Sequence, residues 1–247
     1  MKMSIVRFTA LFCAVSVLFV LSVLALSGQL DQLVPPILPK DSPSVKDEGK
    51  KVLILDAGHG GEDGGASGVN GTLEKELNLQ YALAANDLLS ACGFKVLLTR
   101  SDDRMLGDGE KGHKKLADLR YRLDLANSHP EALLISLHMN KFPQEYCKGI
   151  QLYYSPNNGE SLPLAQALHR LVKDFQKDNN REIKEATSAI YLLDRVQIPG
   201  ILVECGFLSN NEEASLLKTE GYRKKLSVLL SRRPSGLRKT IEDNNSL

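Results

Sequence analysis

Val52-Leu53-Ile54-Leu55-Asp56-Ala57-Gly58-His59-Gly60-Gly61 runs from a short apolar segment straight into a histidine set among glycines. An uninterrupted apolar run of this length suits a strand buried on both faces, as in a parallel sheet. The stretch from Gly58 to Gly71 reads as a loop. Glu74 to Ala91 then reads as a helix, because Leu77, Tyr81, Ala84 and Leu88 share one face and Gly93 stops it. The alternation continues down the chain. Strands are expected at Phe94 to Thr99, Ala132 to Leu137, Ile150 to Tyr154 and Ile201 to Cys205. Helices are expected at Leu116 to Asn127, Pro163 to Lys177 and within Glu212 to Leu230. Strands and helices in this order predict an α/β fold: a single domain, residues 51–230, with a mostly parallel central sheet and helices on both faces.

The ends of the chain have a different character. Lys2 and Arg7 precede an apolar run from Phe8 to Leu26 that no charge interrupts. Residues 1–26 therefore read as a signal or anchor segment rather than part of the fold. The run is long for a cleaved signal, and Val23 and Ala25 form a poor cleavage site, so an uncleaved membrane anchor is the preferred reading. The positive residues keep that end in the cytoplasm, which puts the domain outside, either membrane-anchored or secreted. Residues 27–50 carry Pro35, Pro36, Pro39 and Pro43 among polar residues and read as an extended linker. Residues 231–247 read as a polar, poorly ordered tail. No internal repeat is present.

Composition narrows the function. A net charge of +1 argues against electrostatic binding of nucleic acid. Aromatic residues make up 6% of the chain and tryptophan is absent, which limits stacking platforms for single strands or sugars. Cys13 lies in the apolar segment. Cys92, Cys147 and Cys205 remain, an odd and widely spaced set that suggests small buried hydrophobes rather than a disulfide framework. The glycine-rich loop does not supply a phosphate cradle. Asp63 stands where G-x-G-x-x-G needs its last glycine, and Glu62 and Asp63 would repel phosphate.

In open α/β sheets ligands bind beyond the carboxyl ends of the strands. His59 follows the first core strand, His138 ends the third, and Glu204 ends the run Ile201-Leu202-Val203. Glu74 opens the first helix near the His59 loop. Two neutral imidazoles and one carboxylate with an open fourth position make a catalytic zinc site, and a second carboxylate beside it could act as general base. Each histidine alone is as consistent with an ordinary polar residue after a strand. Glu204 is more telling, since a carboxylate inside an apolar strand is rarely buried unless paired or metal-bound. A buried salt bridge is the plain alternative. His113, His129 and His169 read as surface residues. Cys205 adjoins Glu204, but strand alternation points it to the opposite face.

Five stretches together carry a resemblance: Leu55 to Gly61, Gly64-Gly65-Ala66, Glu74-Lys75, Ser136-Leu137-His138-Met139-Asn140, and Val203-Glu204-Cys205-Gly206-Phe207-Leu208-Ser209-Asn210. In this order they resemble the zinc-dependent N-acetylmuramoyl-L-alanine amidases, over about residues 51–230. The resemblance implies zinc held by His59, Glu74 and His138, with Glu204 as the catalytic carboxylate. It implies hydrolysis of the amide between the lactyl group of N-acetylmuramic acid and L-alanine in peptidoglycan. Arg122 and Asn127 fit the family pattern in structural roles, whereas Ala57 stands where the family commonly has proline. The stretch from Thr99 to Asn127, with Lys111-Gly112 and Asp118-Leu119-Arg120, is similar to the spore-cortex, germination-specific subgroup of endospore formers. That subgroup implies stem-peptide removal so that muramic lactam can form. Some members carry an inhibitory helix soon after the second histidine. His138 to Gly149 is too short for one here, which implies an open groove and regulation through an activating partner protein or the timing of expression. Two other readings remain open: a zinc peptidase that cuts within the stem peptide, and an inactive wall-binding scaffold.

Overall fold

The computed structural model describes residues 52–69, 71–107 and 113–232. The apolar N-terminal segment, the proline-rich linker, Lys111-Gly112 and the tail beyond Arg232 lie outside them. Among the described residues no helix is long and apolar enough to cross a membrane.

Among the described residues six strands build one sheet: β1 (Val52–Ala57), β2 (Lys95–Leu98), β3 (Leu133–Asn140), β4 (Gln151–Tyr154), β5 (Lys184–Glu185) and β6 (Gly200–Phe207). Their order is β2-β1-β3-β6-β4-β5. β2, β1, β3 and β6 run parallel, and β4 runs antiparallel to β6. The helices are α1 (Glu74–Ala91), α2 (Lys114–Asn127), α3 (Ser161–Phe175), α4 (Tyr191–Arg195), α5 (Asn211–Leu217) and α6 (Glu220–Ser231). The expected helices are all present, with ends displaced by about one turn or less. β5 and α4 were not expected. Two charged, exposed residues and a five-residue helix carry too little periodicity to read.

Side-chain alternation along the strands divides the interior in two. Leu53, Leu55, Leu137, Val203 and Cys205 face one side and pack with α1, α3 and α6. Val52, Ile54, Leu134 and Leu202 face the other, against Ala126 of α2 and Leu192 and Leu193 of α4. Followed toward the C-terminal edge, this second face turns polar. Ile54 gives way to Asp56, Leu134 to Ser136 and His138, and Leu202 to Glu204.

Asp56 is 1% exposed and Arg122, from α2, is 2% exposed, and they form a buried ion pair. Thr99 Oγ1 donates to Asp56 Oδ1 at 2.8 Å, and Ser136 Oγ donates to Oδ2. The rest of the Arg122 fork is used as well. Nε donates to Asp118 Oδ2 at 2.7 Å, and Nη2 donates to the His59 carbonyl at 2.8 Å. Burial raises the Asp56 carboxyl, but Arg122 and then Ser136 outweigh it and hold its pKa down at about 2. A folded-state pKa below the unfolded value of 3.8 means that this stabilisation is present above about pH 4 and is lost as pH falls toward 2. The difference amounts to roughly 2 kcal/mol. Asp56→Asn leaves Arg122 with one carboxylate instead of two. It should cost about 3 kcal/mol at neutral pH, and the pH dependence of stability between 4 and 2 should flatten. Denaturant unfolding across that range checks both.

Candidate functional site

His59 adopts a left-handed backbone, with φ of 63°, at the turn that leaves β1. For a residue with a Cβ this costs about 1–2 kcal/mol. Arg122 offsets that cost by holding the His59 carbonyl. Arg100 holds the two residues before it, its Nε donating to the Ala57 carbonyl at 2.9 Å and its Nη2 to the Gly58 carbonyl at 3.1 Å. The Ala57 N–H donates to Thr99 Oγ1 at 3.2 Å, a bond that a proline at this position would lack. Two buried guanidinium groups thus set the path of the loop that presents the imidazole.

The His59 ring is oriented by Asp63, whose Oδ2 lies 2.8 Å from Nδ1. Asp63 thus faces one ring nitrogen and leaves Nε2 turned toward Glu74 and His138, the position a metal ligand requires. Burial raises the Asp63 carboxyl, and His59, the Gly65 N–H and Lys115 together more than reverse the effect. Lys115 Nζ lies 3.2 Å from the same oxygen. Asp63 was not expected to have this role. The visible signal was a carboxylate four residues after a candidate ligand.

His138 and Glu204 are register partners on neighbouring strands, at a point where the β3–β6 ladder shifts register. Glu74, the first residue of α1, reaches both imidazoles. Its Oε1 lies 2.8 Å from His138 Nδ1 and 3.2 Å from His59 Nε2. Its Oε2 accepts from the Ala66 N–H at 2.8 Å. Burial raises Glu74, but the two histidines hold it far below the usual carboxylate range. The three expected ligands are therefore brought together, with one donor atom from each inside a 4.8 Å cluster. Ligands of a tetrahedral zinc stand roughly 3.3 Å apart. The spacing, the borderline donor set and the orientation of the His59 ring by Asp63 all fit such an ion.

Glu204 is in a different electrostatic environment. It is half-buried, and Oε2 and Asn78 Oδ1 are the buried side-chain polar atoms without a partner among the described residues. Burial pushes its pKa up to about 7, with His138 and His59 pulling it down and Glu74 pushing it up. One carboxylate is saturated with donors and ionised. Its neighbour is unsatisfied and can exchange a proton near neutrality, as an acid–base group requires. Among the described residues no cation forms a salt bridge with Glu204. His113 is exposed, and His129 and His169 are partly exposed; none of the three joins the cluster. Cys92, Cys147 and Cys205 are unbridged, and Cys205 is buried on the opposite face from Glu204. Asn127 accepts from the Gln197 N–H at 2.9 Å, away from the cluster.

A family profile described as N-acetylmuramoyl-L-alanine amidase matches residues 53–231. The germination-specific N-acetylmuramoyl-L-alanine amidase of Bacillus subtilis is 37% identical over 180 residues, covering 72% of this chain and 75% of that protein. Among solved structures, the CwlD amidase from Clostridioides difficile, in complex with the GerS lipoprotein, superposes with a TM-score of 0.71 at 35% identity. The match covers 78% of this chain and 99% of that one. The catalytic domain of the amidase CwlV from Paenibacillus polymyxa superposes at 0.65 with 26% identity, covering 78% and 98% of the two chains.

The His138 ring lies directly against the Gly58 backbone, and a Cβ at Gly58 would sit 2.3 Å from Cε1 and Nε2. Gly58→Ala should displace His138 and weaken divalent-metal affinity by about tenfold or more, with unchanged far-ultraviolet circular dichroism. Metal titration of the variant against the parent protein checks this.

Proposed function

The chain belongs to the N-acetylmuramoyl-L-alanine amidase family, and from that premise we propose a zinc-dependent hydrolase that strips stem peptides from spore-cortex peptidoglycan. The single observation that supports zinc most strongly is the convergence of His59, Glu74 and His138 on one point. The likeness to the germination-specific enzyme of Bacillus subtilis supports the cortex as the place of action.

In this reading His59, Glu74 and His138 hold the ion, and Asp63 keeps the His59 ring in its ligating tautomer. A bound zinc supplies a Lewis acid that polarises the lactyl carbonyl and lowers the pKa of an attacking water. Glu204 then accepts the water proton on the unpartnered Oε2 and delivers it to the departing amine of L-alanine. Its raised pKa suits both halves of that transfer. Residues 51–230 form the catalytic domain, carried outside the cytoplasmic membrane by the apolar segment at residues 1–26 and spaced from it by the linker at 27–50. The Clostridioides difficile relative is in complex with a lipoprotein, which supports an activating partner protein for this chain too.

The test is digestion of purified cortex peptidoglycan by the full-length protein, with and without chelator. New amino groups on L-alanine should appear, stop on chelation and return with zinc. New amino groups elsewhere in the stem would mean a peptidase. Glu204→Gln should keep stoichiometric metal and lose about 100-fold or more in kcat, and full activity in that variant would remove Glu204 from the proton transfer. His59→Ala and His138→Ala should each lose metal as well as turnover; retained stoichiometry would overturn the ligand set.

A further inference from the structure

Beyond Glu204, across β4, a second charged group is held in place. Gln151 of β4 is the register partner of Glu204. Its amide donates to the Glu182 carbonyl, and the Asn179 amide donates to the Ile150 carbonyl at 2.9 Å. The segment carrying Arg181 is thereby fastened to β4 beside the C-terminal edge of the sheet. The Arg181 guanidinium lies over Phe207, three residues along β6 from Glu204, which is about 10 Å of strand. Tyr153 is influenced by both groups. Burial raises its phenol first, Glu204 raises it further, and Arg181 lowers it.

The Arg181 side chain has lost the freedom of a surface arginine. Its guanidinium lies over the Phe207 ring, 4.6 Å from the centroid, and Nε donates to the Lys148 carbonyl at 3.1 Å. Phe207 is itself fully buried and braced edge-on by Phe142 at 5.3 Å. Among the described residues no carboxylate comes within ion-pair distance of Arg181. Glu182, next in the chain, is paired with Lys173. Glu213 is turned inward, where it accepts from the N–H groups of Phe207 and Gly149, and it attracts Arg181 only through space, without an ion-pair contact. The two terminal nitrogens of Arg181 are left as a fixed, unpaired fork, which matches the two oxygens of a carboxylate.

We infer that Arg181 anchors a free carboxylate of the stem peptide at a subsite on the rim of the groove. The inference rests on the amidase reading for the identity of the peptide. An extended chain covers about 10 Å in three residues, so the carboxylate belongs to one of the first residues after the scissile amide. Stacking on Phe207 holds the fork in its binding geometry before the substrate arrives, which reduces the ordering cost of binding.

The experiment is equilibrium binding of paired muropeptides to the full-length protein. One member of the pair has the carboxylate nearest the lactyl end free, and the other has it as a primary amide. The parent protein should prefer the free acid by roughly tenfold or more, and Arg181→Ala should bind the two equally. Arg181→Gln keeps much of the side-chain length and loses the charge. It should also bind them equally, and it reports if the alanine variant fails to fold. The ratio within each variant is insensitive to a general loss of native protein. Equal binding by the parent, binding of neither ligand, or a preference retained in the variants would overturn the inference. Release of L-alanine amino groups, recorded on both ligands, tests the amidase reading separately.

Discussion

The site depends on a guanidinium that never reaches it. Arg122 lies at the bottom of the second core face, between Asp56 of β1 and Asp118 of its own helix, and extends its last nitrogen to the His59 carbonyl. A buried ion pair is a weak source of net stability, because desolvation offsets most of the attraction. Its value here is geometric. Every donor of the Arg122 fork is committed, so α2, the end of β1 and the left-handed turn at His59 cannot shift independently. Arg100 repeats the arrangement on the carbonyls of Ala57 and Gly58 and adds the Lys75 carbonyl at 2.7 Å. The second residue of α1 is thereby tied to the loop that Glu74 must face.

With the loop fixed, two neighbouring glutamates acquire opposite chemistries from their surroundings alone. Glu74 has donors on both oxygens, including the Ala66 and Met139 N–H groups, and remains charged. Glu204 arrives from a strand interior with a bare oxygen and remains undecided near neutrality. The contrast between the two carboxylates thus follows from hydrogen-bond supply, which differs sharply over the short distance between adjacent elements.

Much of this was legible before the structure. Apolar runs located the core strands because burial on both faces leaves no other pattern. His59, His138 and Glu204 stood out because each interrupts or ends such a run, and Glu74 because it opens a helix. Asp63, Arg181 and Glu213 did not stand out. Each acts through a hydrogen bond or stack set by tertiary placement, and a charged residue in a loop looks the same whether it is solvated or committed. The antiparallel course of β4 was equally hidden, since strand direction leaves no mark on periodicity. β5 exists only because Lys184 and Glu185 pair with Tyr153 and Tyr154.

The segment that follows β3 is fixed at two posts. At one, the Leu208 N–H donates to the Asn140 carbonyl at 2.7 Å; at the other, Gly149 donates to both oxygens of Glu213. Between them Lys141 to Lys148 form a surface loop in which Tyr146 is 80% exposed. Loop closure entropy rises only slowly with length, so the chain can be extended between the posts without moving His138 or Glu204. In evolutionary terms this is an insertion port. Descendants of one fold can gain or lose whole segments there while the His59, Glu74, His138 and Glu204 cluster stays in place.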